Sequence, residues 1–124
     1  MVENEDTAFF HNNTWLAVMH GRYLQELGHT NLATVHKMKH LERVKLVVAL
    51  VTSCVRDGLG GARVELKDPT GSIWGYVAEK TDEVFERKIK VDVCVIMRET
   101  VIWRPGKITY LNITSKNLED VFQE

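Results

Sequence analysis

The chain has 124 residues, of which 44% are hydrophobic and 27% charged, with a formal net charge of −1. That length supports one domain with a real core and is too short for two, and the apolar fraction excludes a disordered chain. A net charge near zero excludes a global pull toward nucleic acid or membrane, so any polyanion site has to be a local patch.

Residues 1–13 are acidic and polar and are expected to form a flexible terminus. They lack the apolar core of a secretory leader, and no stretch approaches the roughly 20 apolar residues of a membrane span, so a soluble intracellular protein is expected. Residues 14–43 predict a helical hairpin. Thr14 caps a first helix carrying Leu16, Met19, Tyr23 and Leu27, and Gly28 stops it. Thr30 or Asn31 opens a second helix with Leu32, Val35, Met38 and Leu41 along one side. His36 and His40 have the four-residue spacing of a metal site, but lysines 37 and 39 flank them and no third ligand follows. A solvated basic face is the better reading, and no metal is expected.

Residues 44–124 read as strands. Val44–Val55 is apolar on both faces and needs cover on both, one face from a barrel interior and the other from the helical hairpin. After a glycine-rich connection over 56–61, Ala62, Val64 and Leu66 alternate with Arg63, Glu65 and Lys67. Asp68-Pro69-Thr70-Gly71 fits a type I turn, with the aspartate bonding turn amides and proline pre-setting φ. Beyond it Ile73, Gly75 and Val77 face inward while Trp74 and Tyr76 face outward. Glu79–Lys90 predicts a short amphipathic helix, and Val91–Trp103 a fourth strand bent near Thr100, where the alternation slips. Arg104-Pro105-Gly106-Lys107 is a turn, Ile108–Ile113 a fifth strand, and Asn117–Phe122 a short closing element. Cys54 and Cys94 lie in apolar runs and are expected as buried free thiols.

The order β-β-β-α-β-β describes a mainly β domain, a five-stranded OB-fold Greek-key barrel preceded by the helical hairpin. The ligand face of that fold is strands two and three with the loops joining strands one to two and four to five. Here that face carries Trp74 and Tyr76, expected to stack bases, with Arg63, Lys67, Arg56, Arg104 and Lys107 expected to track a phosphate backbone. Trp103, at a strand end, is expected to cap the barrel. No nucleophile elbow, phosphate loop or paired-carboxylate motif is present, so neither an enzyme nor a cofactor or small-molecule substrate is expected.

The segments Val51-Thr52-Ser53, Asp57-Gly58-Leu59-Gly60-Gly61, Val64-x-Leu66-Lys67-Asp68-Pro69-Thr70-Gly71-Ser72-Ile73 and Tyr110-Leu111-Asn112-Ile113-Thr114 with Asn117-Leu118 resemble the OB-fold domain of the homologous recombination OB-fold protein family. The resemblance spans residues 40–122. It implies single-stranded DNA binding, partnership with a minichromosome-maintenance-type recombination helicase, and a nuclear location. The alternative is a protein-interaction module that docks a helicase or another repair partner without touching nucleic acid. Trp74, Tyr76 and the Arg104–Lys107 loop depart from the family's usual residues.

Overall fold

The computed structural model describes residues 30–56, 58, 61–77 and 89–123. One helical turn, α1 (Leu32–Val35), precedes β1 (Arg43–Arg56), β2 (Ala62–Asp68), β3 (Gly71–Val77), β4 (Cys94–Trp103), β5 (Tyr110–Ile113) and β6 (Leu118–Phe122). The expected first helix and nearly all of the expected Glu79–Lys90 helix lie outside the described residues. No helix among the described residues is long and apolar enough to cross a membrane.

The strands run β1-β2-β3-β5-β4, and β1 pairs again with β4, so the sheet closes into a five-stranded barrel. Every pairing in it is antiparallel except β3–β5, which sets Trp74 beside Tyr110 and Tyr76 beside Asn112. This is the mainly β OB-fold barrel expected from the strand order. The closing element is itself a strand: β6 pairs with the first half of β4, and β5 with its end. A fifth strand broken in two results. The break is a clip in which Thr114 N–H donates to Asn117 Oδ1 (3.0 Å) and Asn117 N–H to Thr114 Oγ1 (3.2 Å). Asn117 Nδ2 reaches back to the carbonyl of Asn112 at 2.7 Å.

The barrel interior holds Val47, Ala49 and Val51 of β1, Val64 and Leu66 of β2, Ile73 and Val77 of β3, and Val95, Met97, Ile102, Leu111 and Ile113. Gly75 belongs inside too. A Cβ there would stand 2.7 Å from Ile113 Cδ1 and 3.0 Å from Val64 Cγ2, so a larger residue would have to push these core side chains aside. Leu46, Val48, Leu50, Cys94 and Ile96 are buried on the opposite face of β1 and β4, as a strand apolar on both sides requires.

Two irregularities reverse which way side chains point. The β1–β2 register shifts between Val51 and Ser53, so Cys54 turns toward the core and Val55 turns out. In β4 Glu99 is left-handed (φ 54°), and the core face passes from Val95 and Met97 to Thr100 and Ile102. The bend expected near Thr100 is therefore present, one residue earlier. The fourth strand starts at Cys94, because Asp92 is left-handed (φ 76°) and residues 91–92 form a turn that bonds back to Val51. The fifth starts at Tyr110.

The second helix is much shorter than expected. Asn31 caps it, its side chain accepting from Thr34 N–H, but it ends after Val35. Met38 still packs against the core, whereas Leu41 is 63% exposed and left-handed (φ 69°). Backbone bonds explain the early stop: Leu41 N–H donates to the Ile102 carbonyl (2.7 Å) and Ile102 N–H to that of Glu42 (2.9 Å). Pairing with β4 outcompetes another helical turn.

Of the cysteines, Cys94 is buried and Cys54 only half-buried, since the bulge leaves it near the open end of β1. Burial pushes the Cys94 thiol from 9.0 up to about 12. Above pH 9 the unfolded chain releases this proton while the folded chain keeps it, so the thiol favours unfolding as pH climbs toward 12. At pH 10 the expected loss is about 1.4 kcal/mol. Urea melts at pH 8 and pH 10 check it: the stability gap between wild type and Cys94→Ala should narrow by that amount.

Thr100 is fully buried on the Ile102 face of β4, and its hydroxyl has no hydrogen-bond partner among the described residues. Valine has the same shape without the polar atom. Thr100→Val is expected to raise stability by about 1 kcal/mol, read as a higher urea midpoint at unchanged m-value.

Candidate nucleic-acid interface

The outer face of β2, β3 and β5 follows from simple alternation. Arg63, Glu65 and Lys67 on β2, and Trp74 and Tyr76 on β3, point away from the core. The parallel β3–β5 register adds Tyr110 next to Trp74, and the β4–β5 pair adds Trp103 next to Tyr110.

The aromatics form one tilted cluster. The Tyr76 and Trp103 ring centroids lie 6.0 Å apart at 39°, and those of Trp103 and Tyr110 lie 5.5 Å apart at 44°. Trp103 is 42% exposed, so it stands on the outer face and does not cap the barrel end. The left-handed Glu99 is the reason. Without that parity change Trp103 would fall on the Val95 and Met97 side, inside.

With Arg63 and Val55, these three aromatics line an open concavity of about 390 Å³. Val55 is 51% exposed there, delivered by the bulge in β1. The Arg63 guanidinium sits 4.6 Å from the centroid of the Trp74 ring, a cation–π contact that covers one face of the indole. A second concavity of about 270 Å³ is walled by Glu65, Trp74, Ser72, Lys107, Thr109 and His36. A third, of about 250 Å³, continues past Trp103 to Leu41 and Val101. The first and third share Tyr76 and Trp103, and Trp74 of the second pairs with Tyr110 and touches Arg63 of the first, so the three run side by side as one groove along this face.

The cations expected to track a backbone are placed unequally. Arg63 and Lys107 line the groove. Arg56 is exposed at the end of β1 beside Ala62, and Lys67 is half-buried at the turn end of β2, opposite Ser72. Arg104 is built into the fold. Its side chain donates to Thr109 Oγ1 (2.7 Å), the Met38 carbonyl (2.6 Å) and the His36 carbonyl (3.2 Å). It thereby ties the loop after β4 to the strap between α1 and β1, and three of its five N–H donors are committed.

The two histidines part company. His36 Nε2 bonds the Ser72 carbonyl at 2.6 Å, while His40 Nδ1 accepts from Arg104 N–H at 2.9 Å. Among the described residues no three His, Cys, Asp or Glu side chains are placed to share a metal ion.

Sequence reasoning missed Trp103, Tyr110 and Val55 as groove residues. For Tyr110 the signal was available, since Leu111 and Ile113 alternate with it. For Trp103 and Val55 it was not, because Val55 depends on the bulge in β1 and Trp103 on the left-handed Glu99.

A closed barrel of this topology, with an open aromatic groove on its β2–β3 face, is a domain of the OB-fold class. The family model described as homologous recombination OB-fold protein matches residues 42–124, and the chain belongs to that family. No curated protein matches it. Among solved structures, it is similar to one described as a murine DNA binding protein bound with double-stranded DNA. That likeness has TM-score 0.64 and 10% identity over 82% of this chain and 51% of that one. The tetrameric p202 HIN2 is similar at TM-score 0.65 and 11% identity, over 79% of this chain and 51% of that one. The p204 HINb domain is similar at TM-score 0.61 and 10% identity, over 82% and 47%. The chain thus spans about half the length of these structures, and at such identities the likeness is one of fold.

Proposed function

We propose that the chain is a single-stranded DNA-binding accessory factor of homologous recombination and repair, acting in the nucleus with a minichromosome-maintenance-type helicase. It works by binding and not by catalysis. The observation that carries this reading is the exposed Tyr76–Trp103–Tyr110 cluster with Arg63 at its edge. Aromatic faces stack bases of any sequence, each worth about 1–3 kcal/mol. A duplex hides those faces in its own stack, so the groove favours a single strand. Membership of a homologous recombination family supports the same reading, and a fold shared with a protein bound to double-stranded DNA supports DNA binding in general.

Arg63, Lys107, Lys67 and Arg56 are the cations in reach of a strand along this face, and Arg104 contributes chiefly by holding the loop. With about three or four phosphates neutralised, the salt slope on a single strand should be about −2 to −3. Affinity should be micromolar.

Fluorescence anisotropy of a labelled poly-pyrimidine strand and an equal-length duplex, at low and moderate salt, tests the proposal. Preference for the single strand and weakening with salt are expected. No binding at high micromolar protein in low salt would sink it. The apolar extension of the groove toward Leu41 and Val101 would then favour the protein-docking alternative.

A further inference from the structure

Glu65 is out of place on this face. A carboxylate repels phosphates, yet it sits directly across from Trp74 in the antiparallel β2–β3 register, in a wall of the second concavity. It is also held firmly. Thr52 Oγ1 donates to Glu65 Oε1 at 2.7 Å, and Thr52 lies where the β1–β2 register shifts. The other oxygen takes no hydrogen bond from any described residue.

We propose that Glu65 reads base edges, favouring bases that carry an exocyclic amine over thymine or uracil. The inference rests on the single-stranded reading above and assigns that groove a selectivity. Arg63 covers one face of the Trp74 ring, so a base has only the other to stack on. Residues directly opposite in an antiparallel pair have Cβ atoms about 4.5–5.5 Å apart, so the edge of a base stacked there comes within reach of the carboxylate. A carboxylate only accepts hydrogen bonds. Cytosine, adenine and guanine each present an amine to it, whereas thymine presents a carbonyl oxygen where cytosine has its amine. Lys107 lines the same concavity and is available for the phosphate. Stacking itself is tolerant of sequence, so the selectivity comes from Glu65.

The test compares labelled oligo-dC and oligo-dT of one length, at mildly alkaline pH where cytosine strands do not fold on themselves. Both are pyrimidines, so the amine-for-carbonyl exchange is the relevant difference. Wild type is expected to bind oligo-dC about tenfold more tightly, the effect of one hydrogen bond to a charged group. Glu65→Gln, which can donate as well as accept, should bring the two within a few-fold of each other, largely by tightening oligo-dT. Glu65→Ala should also lose the preference, and thermal melts would verify that both variants fold. Equal binding of the two strands by wild type, or a preference that survives in both variants, overturns the role of Glu65 while leaving the groove a DNA site. Failure of wild type to bind either strand overturns the parent reading and this inference with it.

Discussion

Trp103→Ala is expected to weaken single-stranded DNA binding about tenfold or more while costing the fold only about 1 kcal/mol. The indole is the centre of the aromatic cluster, in contact distance of both Tyr76 and Tyr110, and it separates the main concavity from the one leading to Leu41. Its removal takes away one stacking face and frees the two tyrosines to turn. Because it is half-exposed and outside the barrel, the core beneath it, Ile102 and Leu111, stays packed. Trp103→Phe keeps a π-face and should recover most of the binding, which a merely structural indole would not require. Anisotropy titrations beside urea melts separate the two effects. If Trp103→Ala binds as wild type does, the strand does not cross this groove. Trp74→Ala is expected to lose less, since Arg63 already occupies one side of that ring.

The largest stability effect is expected at Asp68, where alanine should cost about 2–4 kcal/mol. The side chain is 2% exposed and serves two elements at once. Oδ1 accepts from Thr70 N–H (2.8 Å), Thr70 Oγ1 (2.6 Å) and Gly71 N–H (3.2 Å), which closes the β2–β3 turn. Oδ2 accepts from Leu32 N–H at 2.8 Å, the first orphan donor of α1. Thr70 Oγ1 takes the next, from Ala33, at 3.1 Å, and Asn31 takes that of Thr34. Alanine would leave the Leu32 N–H buried without its partner and take three part-buried hydrogen bonds from the turn, and burying an unpaired donor costs more than a hydrogen bond gains. Asp68→Asn keeps the shape and one good acceptor and should lose about half as much. Urea unfolding of the three proteins measures both. Equal stability of Asp68→Ala and wild type would mean that the strap before β1 contributes nothing to the fold.

Two of the stretches that carried the family resemblance are architectural. Leu66–Gly71 closes the hairpin and anchors α1, and Tyr110–Leu118 contains the clip that breaks the fifth strand. Neither stretch is specific to the groove, although Tyr110 is part of it. A family signature here marks the barrel, and the residues that give this chain its ligand face, Trp74 and Tyr76 among them, lie between such marks.

The sequence by itself determined what depends on near neighbours. Alternation along 62–67 and 73–77 is a property of a pleated strand, so the in-and-out assignment of Arg63, Glu65, Trp74 and Tyr76 was legible without any partner. The turn chemistry of Asp68-Pro69-Thr70-Gly71 and the cap at Asn31 are equally local. The strand order was enough for the barrel class, because few ways exist of closing five strands with one helix inserted. The tertiary structure alone decided what depends on register or on competition for backbone groups. The bulge at Thr52 shifts β1 by one residue against β2, while the left-handed Glu99 turns β4 over without changing its register against β1, and either event exchanges the faces of the strand beyond it. That is why Val55 and Trp103 enter the groove against expectation. Arg104 looked like a free loop cation because its acceptors, the carbonyls of His36 and Met38, lie far back in the chain. The second helix ended early for a similar reason: β4 offers Leu41 and Glu42 the hydrogen bonds that a longer helix would have made.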